Sequence, residues 1–173
     1  FSPISSAAPS RRSRARSNLP ESGGKPVPAP RLPEFRAEVA ERIVRSSDRA
    51  AGLPQYLGLR IVDMAPGRLT AEMVVDEKLL TGFGNMHGGV LSAFCDHVLG
   101  SVCYPHMRPG QWAATTEFKI NLMAPVARGR VEARAEIISM TTRTAVVRIE
   151  MENEGRLCCS AQGTVLIQDP KPS

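Results

Sequence analysis

Aromatic side chains are scarce in this chain of 173 residues, with one Trp, two Tyr and five Phe. A nucleic-acid surface stacks bases on aromatics and lays phosphates over a basic patch of the ordered domain. The second requirement fails as well. Residues 1–36 hold seven Lys and Arg against Glu21 and Glu34, whereas residues 37–173 hold fifteen of each sign. The net charge of +5 therefore belongs to the N-terminal segment, the rest is neutral, and nucleic acid is not an expected partner. Long apolar runs are missing too. None approaches the about 18 residues a membrane helix needs and none has the form of a secretory signal core, so a soluble protein with no membrane partner is expected. Cysteine is sparse, and Cys95, Cys103, Cys158 and Cys159 show neither CxxC spacing nor clustered His. That pattern argues against a zinc site and against a thioredoxin-like motif, so no metal is implied; four reduced, mostly buried thiols in a reducing compartment are expected.

What is present reads as one domain behind a tail. Residues 1–32 are rich in Ser, Arg, Pro and Ala and cannot bury enough apolar area to offset their ordering entropy, so a disordered tail is expected. An Arg- and Ser-rich, acid-poor composition is also that of a transit peptide, which sets the mitochondrial matrix beside the cytoplasm as the expected location. Residues 33–54 read as an amphipathic helix from Pro33 to about Ser47, with Phe35, Val39, Ile43 and Val44 on one face, and a linker. From Leu57 the period becomes two: Leu69, Ala71, Met73 and Val75 alternate with charged or polar neighbours after a Pro66-Gly67 turn, which predicts a hairpin. A loop over 77–87 leads into an apolar helix from about Gly88 to Tyr104, ended by Pro105 and Pro109-Gly110. Four more alternating segments follow, through Phe118, Ile120 and Leu122; Val131 to Ile137; Ala145 to Met151; and Leu157, Cys159, Ala161, Gly163 and Val165. Residues 169–173 read as a flexible end.

A strand pair, one long and almost wholly apolar helix, then four meandering strands is a specific order, because only a sheet wrapped around such a helix hides its circumference. The expected class is α+β, a hotdog fold over residues 55–168: a central helix wrapped by a curved antiparallel sheet of about six strands, plus the N-terminal helix.

The stretch from Asn85 to Asp96 holds the polar groups that this architecture does not need. Asp is a mediocre helix former and is rarely buried alone, so Asp96 inside the run Val90 to Tyr104 costs stability unless something compensates. Gly88 falls in the first helical turn, where backbone N–H groups lack intrahelical partners and the helix dipole favours negative charge. An oxyanion fits there, and glycine lets a substrate come close.

Over roughly residues 55–168 the sequence resembles the hotdog-fold acyl-CoA thioesterases of the phenylacetic-acid-degradation type. The resemblance rests on His87-Gly88-Gly89, on Asp96 nine residues after His87, and on Thr115 and Met123-Ala124-Pro125 in the following strand. It implies hydrolysis of an acyl-CoA thioester to free acid and CoA, with Asp96 as base or nucleophile, Thr115 holding the attacking water, the Gly88 N–H as oxyanion donor and His87 orienting the loop or contacting substrate. It also implies substrate contacts at Thr81, Asn85, Met86, Gly89 and Thr116, and no cofactor beyond the CoA of the substrate itself. The acyl pocket is expected to be lined by residues such as Phe83, Met86, Leu122 and Met123. Relatives often carry Asn six residues before the His; here Thr81 stands there, with Asn85 nearby at another spacing, and the Thr81 hydroxyl is expected to substitute in part.

Nine helical residues at about 100° and 1.5 Å each put Asp96 roughly 13 Å down the helix from His87 and on its opposite side. One chain cannot aim both at one carbonyl. The expected assembly is a homodimer with two shared sites, Gly88 of one protomer facing Asp96 and Thr115 of the other, and dimers pairing further into a homotetramer. The plainer reading of Asp96 is an exposed helix position or an ion pair with Arg108, and His97 and His106 are assigned to packing or solvent. Cys95, Asp96 and His97, though consecutive, cannot form a relay, because neighbours on a helix diverge by about 100°. Two other functions are weighed: an acyl-CoA-binding hotdog protein without turnover, and a hotdog acyl-thioester hydratase or dehydratase.

Overall fold

The computed structural model describes residues 30–170. Six strands form one antiparallel sheet in the order β1-β2-β4-β5-β6-β3. They are β1 (Arg60–Ala65), β2 (Arg68–Val74), β3 (Trp112–Leu122), β4 (Arg130–Met140), β5 (Thr144–Asn153) and β6 (Arg156–Gln168). The helices are α1 (Ala37–Ser46), the short α2 (Leu53–Leu57) and the central α3 (Gly88–Ser101). This is the expected hotdog architecture, with β1 and β3 as the two edges.

The alternation read from the sequence is the burial pattern of the strands. Leu69, Ala71 and Met73 on β2, Val131, Ala133, Ala135 and Ile137 on β4, and Ala145, Val147, Ile149 and Met151 on β5 are buried on one face. They enclose Phe94, Val98 and Leu99 of α3, each fully buried. At roughly 25 cal/mol per Å² of apolar area, a shared core of this kind supplies most of the drive for folding. Gly163 on β6 permits the close approach of α3: a Cβ there would sit 2.5 Å from Leu99 Cδ1 and 2.5 Å from Phe118 Cβ. The opposite face carries charges of alternating sign, such as Arg134 between Glu132 (2.7 Å) and Glu152 (2.9 Å), and Arg148 with Glu136 (2.6 Å). A face with no net sign has no electrostatic claim on a polyanion.

Several expectations are corrected. The N-terminal helix starts at Ala37, not Pro33, because the preceding segment is tied across the molecule. The Arg36 N–H donates to Pro105 O (2.9 Å), and the Arg36 guanidinium reaches the carbonyls of Tyr104 and Met107. Phe35 lies before the helix and packs at a tilt on His106, ring centroids 5.4 Å apart. Residues 47–59 are not a plain linker: a 3-10 turn over Ser47–Arg49 and α2 occupy them, and β1 begins at Arg60. The central helix stops at Ser101, with a 3-10 turn at Tyr104–His106 beyond it. Leu157 and Leu122 were expected on the dry face but are 41% and 53% exposed. For Leu157 the cause is a register shift between Met151 and Glu152, after which both Cys158 and Cys159 point inward. The disorder expected for residues 1–32 lies outside the described residues up to residue 29, but Leu32 packs on the core. At the other end Asp169 is held by Arg108 (2.8 Å) and Gln111 (2.8 Å), not loose. All four cysteines are free and buried. No helix among the described residues is long and apolar enough to cross a membrane.

Candidate active site

The loop before α3 is closed on itself, which fixes where the helix begins. His87 N–H donates to Leu79 O (3.0 Å), Met86 N–H to Val126 O (2.7 Å) and Thr81 N–H to Asn85 O (2.7 Å). His87 then caps the helix: its Nδ1 accepts the Gly89 N–H at 2.9 Å. That satisfies one of the orphan donors of the first turn. His87 is thus a cap whose Nε2 edge remains exposed, and Gly89 is spent on the cap.

Gly88 is the first residue of the helix, and its N–H meets no acceptor among the described residues. It points from the positive end of the α3 dipole toward half-open space. Its lack of a side chain matters here. A Cβ would lie 2.7 Å from Leu122 Cδ1, so any larger residue must push the Leu122 side chain aside.

Asp96 stands in the middle of α3, eight residues beyond Gly88 and so about 12 Å along the axis. It is exposed and makes no ion pair or side-chain hydrogen bond among the described residues; Arg108, its candidate partner, is taken by Asp169. Within one chain, then, the expected burial cost does not arise. It would arise only if a second surface covered this turn of the helix. The neighbouring His97 is half-buried, and burial holds its ring pKa below the ordinary value despite the nearby Asp96 carboxylate, which favours the neutral form near pH 7. Burial pushes the Cys95 thiol up to about 12, which removes any thiolate at neutral pH.

Thr115 sits on β3, half-buried, at a bulge: the pairing with β6 shifts register between Thr115 and Glu117. The extra residue is Thr116, whose hydroxyl donates to Thr164 O (3.0 Å). A bulge re-aims its neighbours, and here it does so on an edge strand. Thr81 uses its hydroxyl locally, accepting the Phe83 N–H at 3.3 Å, and Asn85 contributes its backbone carbonyl to the same loop. Met86 is buried in the core, while Phe83 at the loop tip is 92% exposed.

One chain therefore gathers His87, Gly88, Met86 and the loop residues at the start of α3, with Leu122 against them, and leaves Asp96 further along an uncovered helix face. It does not bring Asp96 to Gly88. Of the apolar residues exposed at the ends of β3, Leu122 (53%) and Met123 (49%) were expected to line the acyl pocket, whereas Trp112 (47%) was not singled out from the sequence. Leu122 keeps the inward phase of Phe118 and Ile120, opposite the buried Cys159, and is exposed because it stands at the end of an edge strand, which an alternation count does not reveal.

A family profile described as the thioesterase superfamily matches residues 83–160, the stretch from the loop tip into the start of β6. The 1,4-dihydroxy-2-naphthoyl-CoA hydrolase of Escherichia coli (strain K12) is 31% identical over 116 residues, covering 65% of this chain and 83% of that protein. Among solved structures, a thioesterase from Haemophilus influenzae superposes with a TM-score of 0.70 at 24% identity, covering 77% of this chain and 92% of that one. The PaaI protein of the E. coli phenylacetic acid degradation operon gives 0.69 at 21% identity, covering 77% and 96%. These two likenesses speak to the fold.

Proposed function

This chain belongs to the thioesterase superfamily and is a thioester hydrolase, and from that premise we propose that it hydrolyses an acyl-CoA at a site shared between two copies of the chain. The observation that carries the proposal is the separation just described. A free N–H at the helix start and an unpartnered carboxylate about 12 Å further along the same rigid helix cannot act on one carbonyl from one chain.

The open edge offers the way to combine them. Among the described residues β3 pairs only with β6, so along its 11 residues the outer backbone groups have no strand partner there, and apolar Trp112, Leu122 and Met123 sit exposed on it or just beyond its end. Such an edge pairs with another strand. A twofold axis beside β3 gives an isologous dimer with two equivalent sites, each built from Gly88 of one protomer and Asp96 and Thr115 of its partner.

In that arrangement the Gly88 N–H and the helix dipole bind the carbonyl oxygen as it becomes an oxyanion. Asp96 takes a proton from water held by the Thr115 hydroxyl, and the oxygen of that water attacks the carbonyl carbon. The C–S bond then breaks and the CoA sulfur leaves with the proton from Asp96. Direct attack by the carboxylate, giving a mixed anhydride that water then cleaves, uses the same placement. His87 keeps the oxyanion donor in place through its cap. Fatty or aromatic acyl groups both suit the chemistry.

A binder without turnover is the rival, and one observation favours it: the Thr81 hydroxyl is engaged by its own loop. Release of free CoA from a panel of acyl-CoAs separates the two. Turnover by the native protein, with at least a hundredfold loss in a folded Asp96→Asn variant, corresponds to about 2.7 kcal/mol of transition-state stabilisation and supports the hydrolase. Tight binding of acyl-CoA with no thiol released by the native protein overturns it.

A further inference from the structure

Between α1 and α3 lies a hollow of about 500 Å³ that no part of the mechanism uses. Its apolar lining comes from Val39, Ile43, Ile61 and Tyr104, and its uncharged polar groups are Ser46 and Ser47 at the end of α1 with His97 and Ser101 of α3. Two guanidinium groups, of Arg42 and Arg49, stand at its rim. Arg42 forms no ion pair among the described residues, and Arg49 has only a 3.9 Å contact with Asp48 at the surface. Small-molecule sites have this volume and this composition, mostly apolar with a few placed polar groups.

The hollow is near Asp96 but not on it. His97 is the next residue, and its ring feels the Asp96 carboxylate. Successive side chains on a helix diverge by about 100°, so a group that reacts at Asp96 must extend several ångströms around α3 before it enters the hollow. A flat ring with a substituent at its far end has that reach. A cation without a counter-ion at the far rim selects what the substituent should be.

Resting on the hydrolase reading above, we infer that the α1–α3 hollow receives the distal end of the acyl group, and that Arg42 makes it select aryl acyl groups bearing a carboxylate away from the thioester. The position of α1 suits this role, since its start is tied by hydrogen bonds in addition to its packing along β1. Arg36 binds the carbonyls of Tyr104 and Met107, and His106 Nδ1–H donates to Pro33 O (2.7 Å), so the wall opposite α3 is anchored at its start.

The test compares two thioethers, S-benzyl-CoA and S-(4-carboxybenzyl)-CoA, which have no carbonyl to hydrolyse, by calorimetry. Native protein is expected to bind the carboxylated thioether at least tenfold more tightly. Arg42→Gln brings the ratio of the two affinities to about one, while Arg45→Gln, on another face and paired with Glu41, keeps it. Ala50→Phe, which fills the hollow from a half-buried loop position, weakens the carboxylated thioether at least tenfold, and Ser46→Phe at the exposed rim does the same should the first variant be unstable. Equal affinities in the native protein overturn the inference. So does an Arg42→Gln variant that weakens both thioethers by one factor, since the guanidinium would then serve the CoA phosphates, and so does indifference to filling the hollow. Binding is read whether or not the protein turns over. CoA release from benzoyl-CoA, measured beside it, reports on the hydrolase reading alone.

Discussion

The sheet has two edges, and they are finished in opposite ways. β1 is covered: α1 packs along it, and the Ser47 hydroxyl accepts the Ile61 N–H at 2.6 Å, so an edge donor is satisfied from within the chain. Behind that cover the buried His106 locks the assembly, its Nε2 accepting the Gly67 N–H (2.9 Å) at the β1–β2 turn and its Nδ1–H serving Pro33 O. These two partners set the donor and acceptor sides of the ring. Among the described residues nothing comparable covers β3, and its far end lies against Gly88. A chain that closes one edge with its own residues and leaves the other bare, next to the groups that look catalytic, reserves the bare edge for a second copy.

The comparison breaks most visibly at the open edge. Leu122→Asp places a charge on β3 beside Gly88 and is expected to yield a monomer in sedimentation and to lower CoA release at least a hundredfold, while the monomer keeps its fold by circular dichroism because Leu122, 53% exposed in the single chain, adds little to the protomer's own core. A dimer that persists with full activity would mean the edge is not the interface. The covered edge should answer in stability instead. His106→Ala strands the Gly67 N–H and the Pro33 carbonyl, and a loss of about 2–3 kcal/mol is expected, some 5–10 °C in melting temperature, with turnover per folded molecule within about twofold. The smallest effect belongs to the outer sheet face, which neither edge uses. Arg148 and Glu136 are 54% and 42% exposed, so Arg148→Ala should cost no more than about 0.5 kcal/mol by thermal denaturation and leave activity alone.

Most of the strand content was legible because burial on one face leaves a period of two, as on β4 and β5. What escaped was decided at long range or by irregularity. The start of α1 depends on Arg36 and His106 meeting residues about 70 positions away, which no local pattern records. The short α2 had a local signal, with Gly52 and Gly58 around Pro54, but five residues are too few for an apolar period. Leu157 misled because a bulge changes the phase of an alternation without changing its composition, and Leu122 because its inward phase does not record that it ends an edge strand. For the site, the position of Gly88 at the helix start and of Asp96 in its middle followed from spacing alone. The bulge that re-aims Thr115 did not, nor did the capture of the Thr81 hydroxyl by its own loop.

The central claim is that each site takes Gly88 from one protomer and Asp96 from the other. Its most direct test mixes two inactive variants, Asp96→Asn and Gly88→Val, unfolds and refolds them together, and assays the mixture. In a shared-site dimer, half of the refolded dimers are mixed, and each mixed dimer holds one site with both defects and one with neither. Activity should return to about a quarter of the native level. Mixed dimers identified by native mass spectrometry that release no CoA would contradict the claim and return both residues to a single chain.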